Sequence, residues 1–149
     1  MQSQDPPIHQ NYSDGDVIIA EGDTGNNAYV VIKGQVRITK KYNEKVVTLG
    51  TLKEREVFGE MSLISETVRS ANISAVGDVT VGVIEREFFD TAMNEIQEGM
   101  KPVIIKLVER LRSTTNIMTR INSELENTKE NINSILSCKK TLKDYLEYL

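Results

Sequence analysis

A chain of 149 residues, 39 % apolar and 27 % charged, has room for one compact domain and an accessory element, and is too short for a regulatory domain joined to a catalytic one. Its net charge of −4 is uneven, with 9 basic against 16 acidic residues over 1–100 and 9 against 6 over 101–149, so the dense basic stripe of a nucleic-acid binder is missing. Cys138 and His9 are the only residues of their types, which excludes an internal disulfide and a Cys/His metal cage supplied by one chain; no apolar run reaches membrane-spanning length, and no signal-peptide core is present. The expectation is a cytoplasmic chain with no metal or other cofactor, no membrane contact and no nucleic-acid partner.

Residues 1–10, with Pro6 and Pro7 adjacent, read as a flexible or extended tail. From there to Ile84 the chain shows short runs rich in β-branched residues: Val17-Ile18-Ile19, Tyr29-Val30-Val31-Ile32, Val36-Arg37-Ile38, Val46-Val47-Thr48-Leu49, Ile73-Ser74-Ala75 and Val79-Thr80-Val81-Gly82-Val83. Asp14-Gly15, Gly22, Gly25, Gly34, Gly50 and Gly77-Asp78 separate them as turns, a frequency that suits an antiparallel barrel or jelly roll. Tyr42-Asn43-Glu44-Lys45 reads as a hairpin tip.

Between these strands lies Phe58-Gly59-Glu60-Met61-Ser62-Leu63, followed after five residues by Arg69-Ser70-Ala71-Asn72-Ile73-Ser74-Ala75. The segment combines one carboxylate, one guanidinium and a run of backbone N–H groups around a helical turn. Arg69 offers a planar fork of donors to two phosphate oxygens at once. Ionised Glu60 only accepts hydrogen bonds, so it suits sugar hydroxyls and repels phosphate. Gly59 lets the main chain close on a ligand, with the N–H groups of Met61, Ser62 and Leu63 opening toward an anion. These residues suit a ligand with a hydroxyl pair at one end and a single anionic phosphate at the other. The competing reading is a surface ion pair between Glu60 and Arg69, with the glycines as turn punctuation.

This pattern resembles the phosphate-binding cassette of the cyclic nucleotide-binding domain family, found in catabolite-activator-type transcription factors, regulatory subunits of cyclic AMP-dependent kinase and cyclic nucleotide-gated channels. A second family signature resembles the stretch from Ile18 to Gly34, with Gly22, Gly25 and Gly34 in register and Ala28 where the family has a large apolar residue. The resemblance runs from about Tyr12 to about residue 118. It implies a mainly β plus α fold: an eight-stranded antiparallel β-roll (jelly roll) with the cassette inserted, then a long C-terminal dimerisation helix. The ligand it implies is cAMP or cGMP, with Gly59, Glu60, Met61, Ser62, Arg69, Ser70 and Ala71 in contact. Ser70 suits either the phosphate or the exocyclic amine of guanine. No nucleophile–base pair is apparent, so the expected role is a sensor and not an enzyme; the His and Cys counts disfavour a haem or iron–sulfur sensor.

Helical spacing begins near Glu85 with Phe88, Phe89, Ala92, Met93 and Ile96, and Gly99 and Pro102 mark a break. The β-roll with its flanking helix is thus expected over 11–100 and a long helix over 101–149. The family has a hinge at this break, where ligand binding changes an angle. Beyond it, heptad a positions are Ile104, Leu111, Met118, Leu125, Ile132 and Lys139, and d positions Leu107, Thr114, Ile121, Thr128, Ile135, Leu142 and Leu149; ten of the thirteen are apolar. A parallel coiled coil in a homodimer is expected, because packing against its own roll accounts for only two or three turns of a helix about 70 Å long. In catabolite-activator-type relatives two hydroxyl residues of the dimer helix reach the base, one from each subunit; Thr114 and Thr115 stand at the matching positions. The expected function is a ligand-gated dimeric switch acting on an unknown downstream protein. The alternatives are a truncated or degenerate transcription regulator, since no helix-turn-helix follows the heptads, or a coiled-coil scaffold that binds nothing.

Overall fold

The computed structural model describes residues 8–148. Six strands form one antiparallel sheet: β1 (His9–Tyr12), β2 (Val17–Ile19), β3 (Asn27–Tyr42), β4 (Lys45–Leu52), β5 (Val57–Phe58) and β6 (Asn72–Glu85). The order is β1-β6-β3-β4, with β2 also on β6 and β5 also on β3. The helices are α1 (Glu60–Ile64), α2 (Arg86–Glu95) and α3 (Lys101–Glu147). The sheet is not closed on itself, and its core is Ile19, Val31, Val36, Phe58, Ile73, Ala75, Val79 and Val81. Branched residues that strands favour also fill that core, so local propensity and packing agree. Phe58 stacks on Tyr29 with ring centroids 5.3 Å apart, which fixes the approach to α1. Ala28 is fully buried where β3 begins.

The strand count corrects the eight-strand expectation. Gly34 and Gly77-Asp78 are not turns: β3 and β6 run through them as continuous strands of 16 and 14 residues. Gly34 and Gly77 have positive φ, and the register shifts between Val31 and Gln35, so the glycines absorb bulges that bend paired strands. Gly50 likewise lies inside β4, beside another register shift. Asn43 and Glu44, both with positive φ, form the β3–β4 hairpin tip. The expected tail over 1–10 lies partly outside the described residues. His9 and Gln10, however, belong to β1, where they pair with Gly82 and Val81 of β6.

The break after α2 spans residues 96–100, and α3 then starts with Pro102 in its first turn, where a missing N–H costs nothing. Contact between α3 and the roll extends much further than two or three turns. Val108, Thr119 and Ser123 are buried, Arg112 reaches the loop after α1, and Glu130 pairs with Lys45 at 2.8 Å. These residues recur at spacings of four and seven on a face beside the heptad seam, and the small Thr119 and Ser123 let α3 lie close to the roll, where it contacts β4. The seam itself faces outward: Leu107, Leu111, Ile121, Leu125, Ile132, Ile135 and Leu142 are between 50 and 67 % exposed. Leu149, the last d position, lies outside the described residues.

Candidate ligand-binding site

The cassette, the adjoining strands and α3 enclose a cavity of about 380 Å³, a size suited to a small ligand. All nine residues singled out from the sequence line it: Gly59, Glu60, Met61, Ser62, Arg69, Ser70, Ala71, Thr114 and Thr115. Ile38, Leu49, Leu52 and Ile73 add apolar wall, and Leu111 and Met118 of α3 cover it. One part of the lining thus carries charged and polar side chains and another is apolar.

Gly59 precedes α1 with φ of 80°, a left-handed conformation that only glycine adopts without strain. It turns the chain so that Glu60 enters the cavity while the Gly59 carbonyl faces Arg69. Arg69 is 5 % exposed. Its Nη1 donates to the Gly59 carbonyl at 2.6 Å and to Ser62 Oγ at 2.8 Å, and its Nη2 donates to the Asn27 carbonyl at 2.6 Å. Three of the five N–H donors of an arginine are thereby engaged, and two have no acceptor among the described residues. A Cβ at position 25 would lie 2.3 Å from Nη2 and 2.6 Å from Nε, so only glycine lets the main chain pass this close to the guanidinium.

Glu60 forms no ion pair with Arg69 among the described residues, and the surface-pair reading falls with the burial of Arg69. Burial pushes the Glu60 carboxyl above its ordinary pKa, with its own backbone N–H and the Arg69 charge pulling the other way. Burial likewise lowers the Arg69 guanidinium from its usual value, opposed by Tyr29 and Glu60. An arginine keeps its charge at neutral pH even so. The cavity therefore holds a fixed cation and a desolvated carboxylate that are not joined to each other.

Thr114 and Thr115 line this chain's own cavity. Each donates its hydroxyl proton to a carbonyl one turn back, Thr114 to Arg110 and Thr115 to Leu111, both at 2.9 Å. Their oxygens retain lone pairs for a donor on the ligand. Gly25 and Asn27 as supports of Arg69, and Leu111 and Met118 as cover, were not singled out for the site. The glycine carried a turn signal and a place in the second family signature, and the two apolar residues a heptad signal, and none of these reports proximity across the fold.

A family model for the cyclic nucleotide-binding domain matches residues 9–95, more than half of the chain, and the chain belongs to that family. Human cGMP-dependent protein kinase 2 is 40 % identical over 93 residues, which cover 60 % of this chain and 12 % of the kinase; the chain thus spans about an eighth of the length of that relative. Among solved structures, the cAMP-bound form of the EAL enzyme Bd1971 superposes with a TM-score of 0.70 at 29 % identity, covering 83 % of this chain and 33 % of that one. The catabolite activator protein of Thermus thermophilus has a TM-score of 0.54 at 27 % identity, covering 87 % and 55 %. The similarity to both structures extends beyond the matched domain, since each covers more of the chain than residues 9–95.

Proposed function

We propose that this chain binds a 3′,5′-cyclic mononucleotide, cAMP in preference to cGMP, and acts as a dimeric switch without catalysing a reaction. The observation that carries the reading is the cavity shared by a buried, anchored arginine with two donors unengaged and a carboxylate not paired to it. The Arg69 charge and its unengaged donors suit the oxygens of a cyclic phosphate. Glu60 suits the ribose hydroxyl, and the peptide N–H groups around Met61, Ser62 and Ala71 add donors for the anion. Ser70 lies beside the phosphate position.

The preference for cAMP rests on the Thr114 and Thr115 oxygens, which accept from the exocyclic amine of adenine, whereas guanine offers a carbonyl at that ring position. A specific observation favours the second reading, cGMP. Ser70 lines the cavity, and the EAL enzyme Bd1971 has both a cAMP-bound and a cGMP-bound form. The switch draws on the break at 96–100 and on the seam of α3. A nucleotide that binds one arrangement of roll and helix better than another shifts the population by that difference in affinity. The seam calls for a second copy, in a parallel pair where Glu124 at g faces the partner's Lys129 at e. A cytoplasmic location and an unidentified downstream protein complete the reading.

The test is calorimetric titration with cAMP, cGMP and cyclic di-GMP, followed by sedimentation of the same samples. Saturable binding of cAMP, tighter than cGMP, to a dimeric chain is expected. Failure of both mononucleotides to bind, or binding of cyclic di-GMP alone, rejects the assignment.

A further inference from the structure

Lys40 of β3 sits behind the cavity wall with its side chain 16 % exposed, and Glu21, its ion-pair partner at 2.9 Å, is 24 % exposed. Such a charge pair requires good geometry to offset lost hydration. Here Lys40 Nζ also donates to the Ser70 carbonyl at 2.5 Å. Glu21 in turn is pinned, accepting from the Lys41 N–H at 2.9 Å while its own N–H donates to Asn72 Oδ1 at 2.9 Å. On the preceding residue, the Arg69 N–H donates to the Asp23 carbonyl and the Arg69 carbonyl accepts from the Gly22 N–H, each at 2.9 Å.

A trans peptide holds its C=O and N–H in opposite directions. Anchoring the Ser70 carbonyl on Lys40 therefore turns the Ala71 N–H away from Lys40. Ser70 and Ala71 both line the cavity, and the Ala71 N–H makes no hydrogen bond among the described residues. A cation on the carbonyl also polarises the amide and strengthens its N–H as a donor, as in any hydrogen-bonded chain. We propose that Lys40 is a positioning residue for the anion-binding end of the cavity: it acts through the Ser70–Ala71 peptide to aim and strengthen the Ala71 N–H toward the ligand phosphate. Glu21 holds Lys40 in place and tempers its field. The inference rests on the cyclic-nucleotide reading above.

The experiment titrates the full chain and its Lys40→Met and Glu21→Gln variants with cAMP by calorimetry, and follows the Ala71 amide by ¹H–¹⁵N correlation spectroscopy. In the unsubstituted chain the Ala71 amide proton moves downfield on saturation. Lys40→Met weakens affinity about tenfold and removes most of that shift. Glu21→Gln keeps the Lys40–Ser70 contact and binds as tightly as the unsubstituted chain or more tightly. A network that only braces the fold predicts that both variants weaken binding together, and that result overturns the proposal. An Ala71 amide that does not move, or unchanged affinity in Lys40→Met, overturns it as well. Where Lys40→Met fails to give a cooperative melt, the Ala71 shift and Glu21→Gln decide. Absence of binding by the unsubstituted chain rejects the cyclic-nucleotide reading itself, a failure distinct from unequal behaviour of the variants.

Discussion

In the cavity, Arg69 finds three acceptors inside its own chain and sits almost wholly buried. Along the outer seam of α3, Leu107, Leu125 and Ile132 are each more than half exposed, and nothing among the described residues covers them. The arginine is anchored within one chain because its donors are polar and directional, so three of them find acceptors on the spot. The seam is an apolar stripe too narrow for the roll to cover, and burying it takes a surface of the same kind. Leu111, Thr114 and Met118 belong to both regions: they lie on the seam and line the cavity. The proposed ligand site and the proposed pairing seam therefore share side chains.

The largest effect expected is at the arginine. Arg69→Ala costs about 2–5 kcal/mol of nucleotide affinity, the range for truncating one partner of a buried charged pair. It also leaves the Gly59 and Asn27 carbonyls without their donor, which costs about 1–3 kcal/mol of fold stability for a buried unpaired group. Calorimetric titration and thermal melting read the two losses separately. Near-native affinity in Arg69→Ala removes the cavity from the account altogether.

The seam is broken independently. Ile132→Glu together with Ile135→Glu lies beyond the last contact with the roll, at Glu130. Each large apolar side chain buried in an interface contributes about 1.5–3 kcal/mol, so the double variant sediments as a monomer at concentrations where the unsubstituted chain is a dimer. Its melting temperature changes little. A cut after residue 120 tests less cleanly, because it also deletes the contacts of Ser123 and Glu130 with the roll. An unchanged dimer in the double variant means that the distal heptads do not join two chains.

Glu60 sets a smaller effect, of opposite sign in the two regimes. Its folded-state pKa is raised by burial, so the folded chain takes up the proton before the unfolded chain does. The cost of holding the buried carboxylate ionised is full above the folded pKa and is relieved as pH falls through it toward the ordinary carboxylate range. Acidification across that window thus favours the fold through this group and weakens nucleotide binding, since the protonated form loses an acceptor. Glu60→Gln is expected to raise the melting temperature by a few degrees, for about 1 kcal/mol gained, and to flatten the pH dependence of affinity. A steeper dependence in the variant contradicts this role.

Much of this was legible in the sequence because the signals were local. The cassette residues Gly59 to Ser62 and Arg69 to Ala71 are adjacent in sequence and meet in one cavity, and the heptads state the period of α3 directly. What escaped depended on contacts between distant segments. Gly34 and Gly77 look like turns when each strand is read alone, but paired strands continue through them as bulges. The roll-facing side of α3, with Arg112, Thr119 and Ser123, has no hydrophobic signature, because small and polar residues let a helix lie close to a strand. Gly25 matters through the space it leaves for an arginine 44 positions later, and Lys40 through a carbonyl 30 positions later.

The smallest effect concerns the base. Thr114→Ala and Thr115→Ala each remove one hydroxyl acceptor and are expected to cost about 0.5–1.5 kcal/mol of cAMP affinity and none of cGMP affinity, which narrows the ratio between the two. The pair also separates the regions, because Thr115 is half-buried against its own roll while Thr114 is exposed on the seam. A larger loss at Thr115 means that the base is read within one chain. A larger loss at Thr114, abolished in the monomeric Ile132→Glu/Ile135→Glu background, means that the base is read where two chains meet, so that helix pairing itself contributes to the affinity for nucleotide. Equal losses of cAMP and cGMP affinity at both threonines contradict any part of either hydroxyl in choosing between the bases.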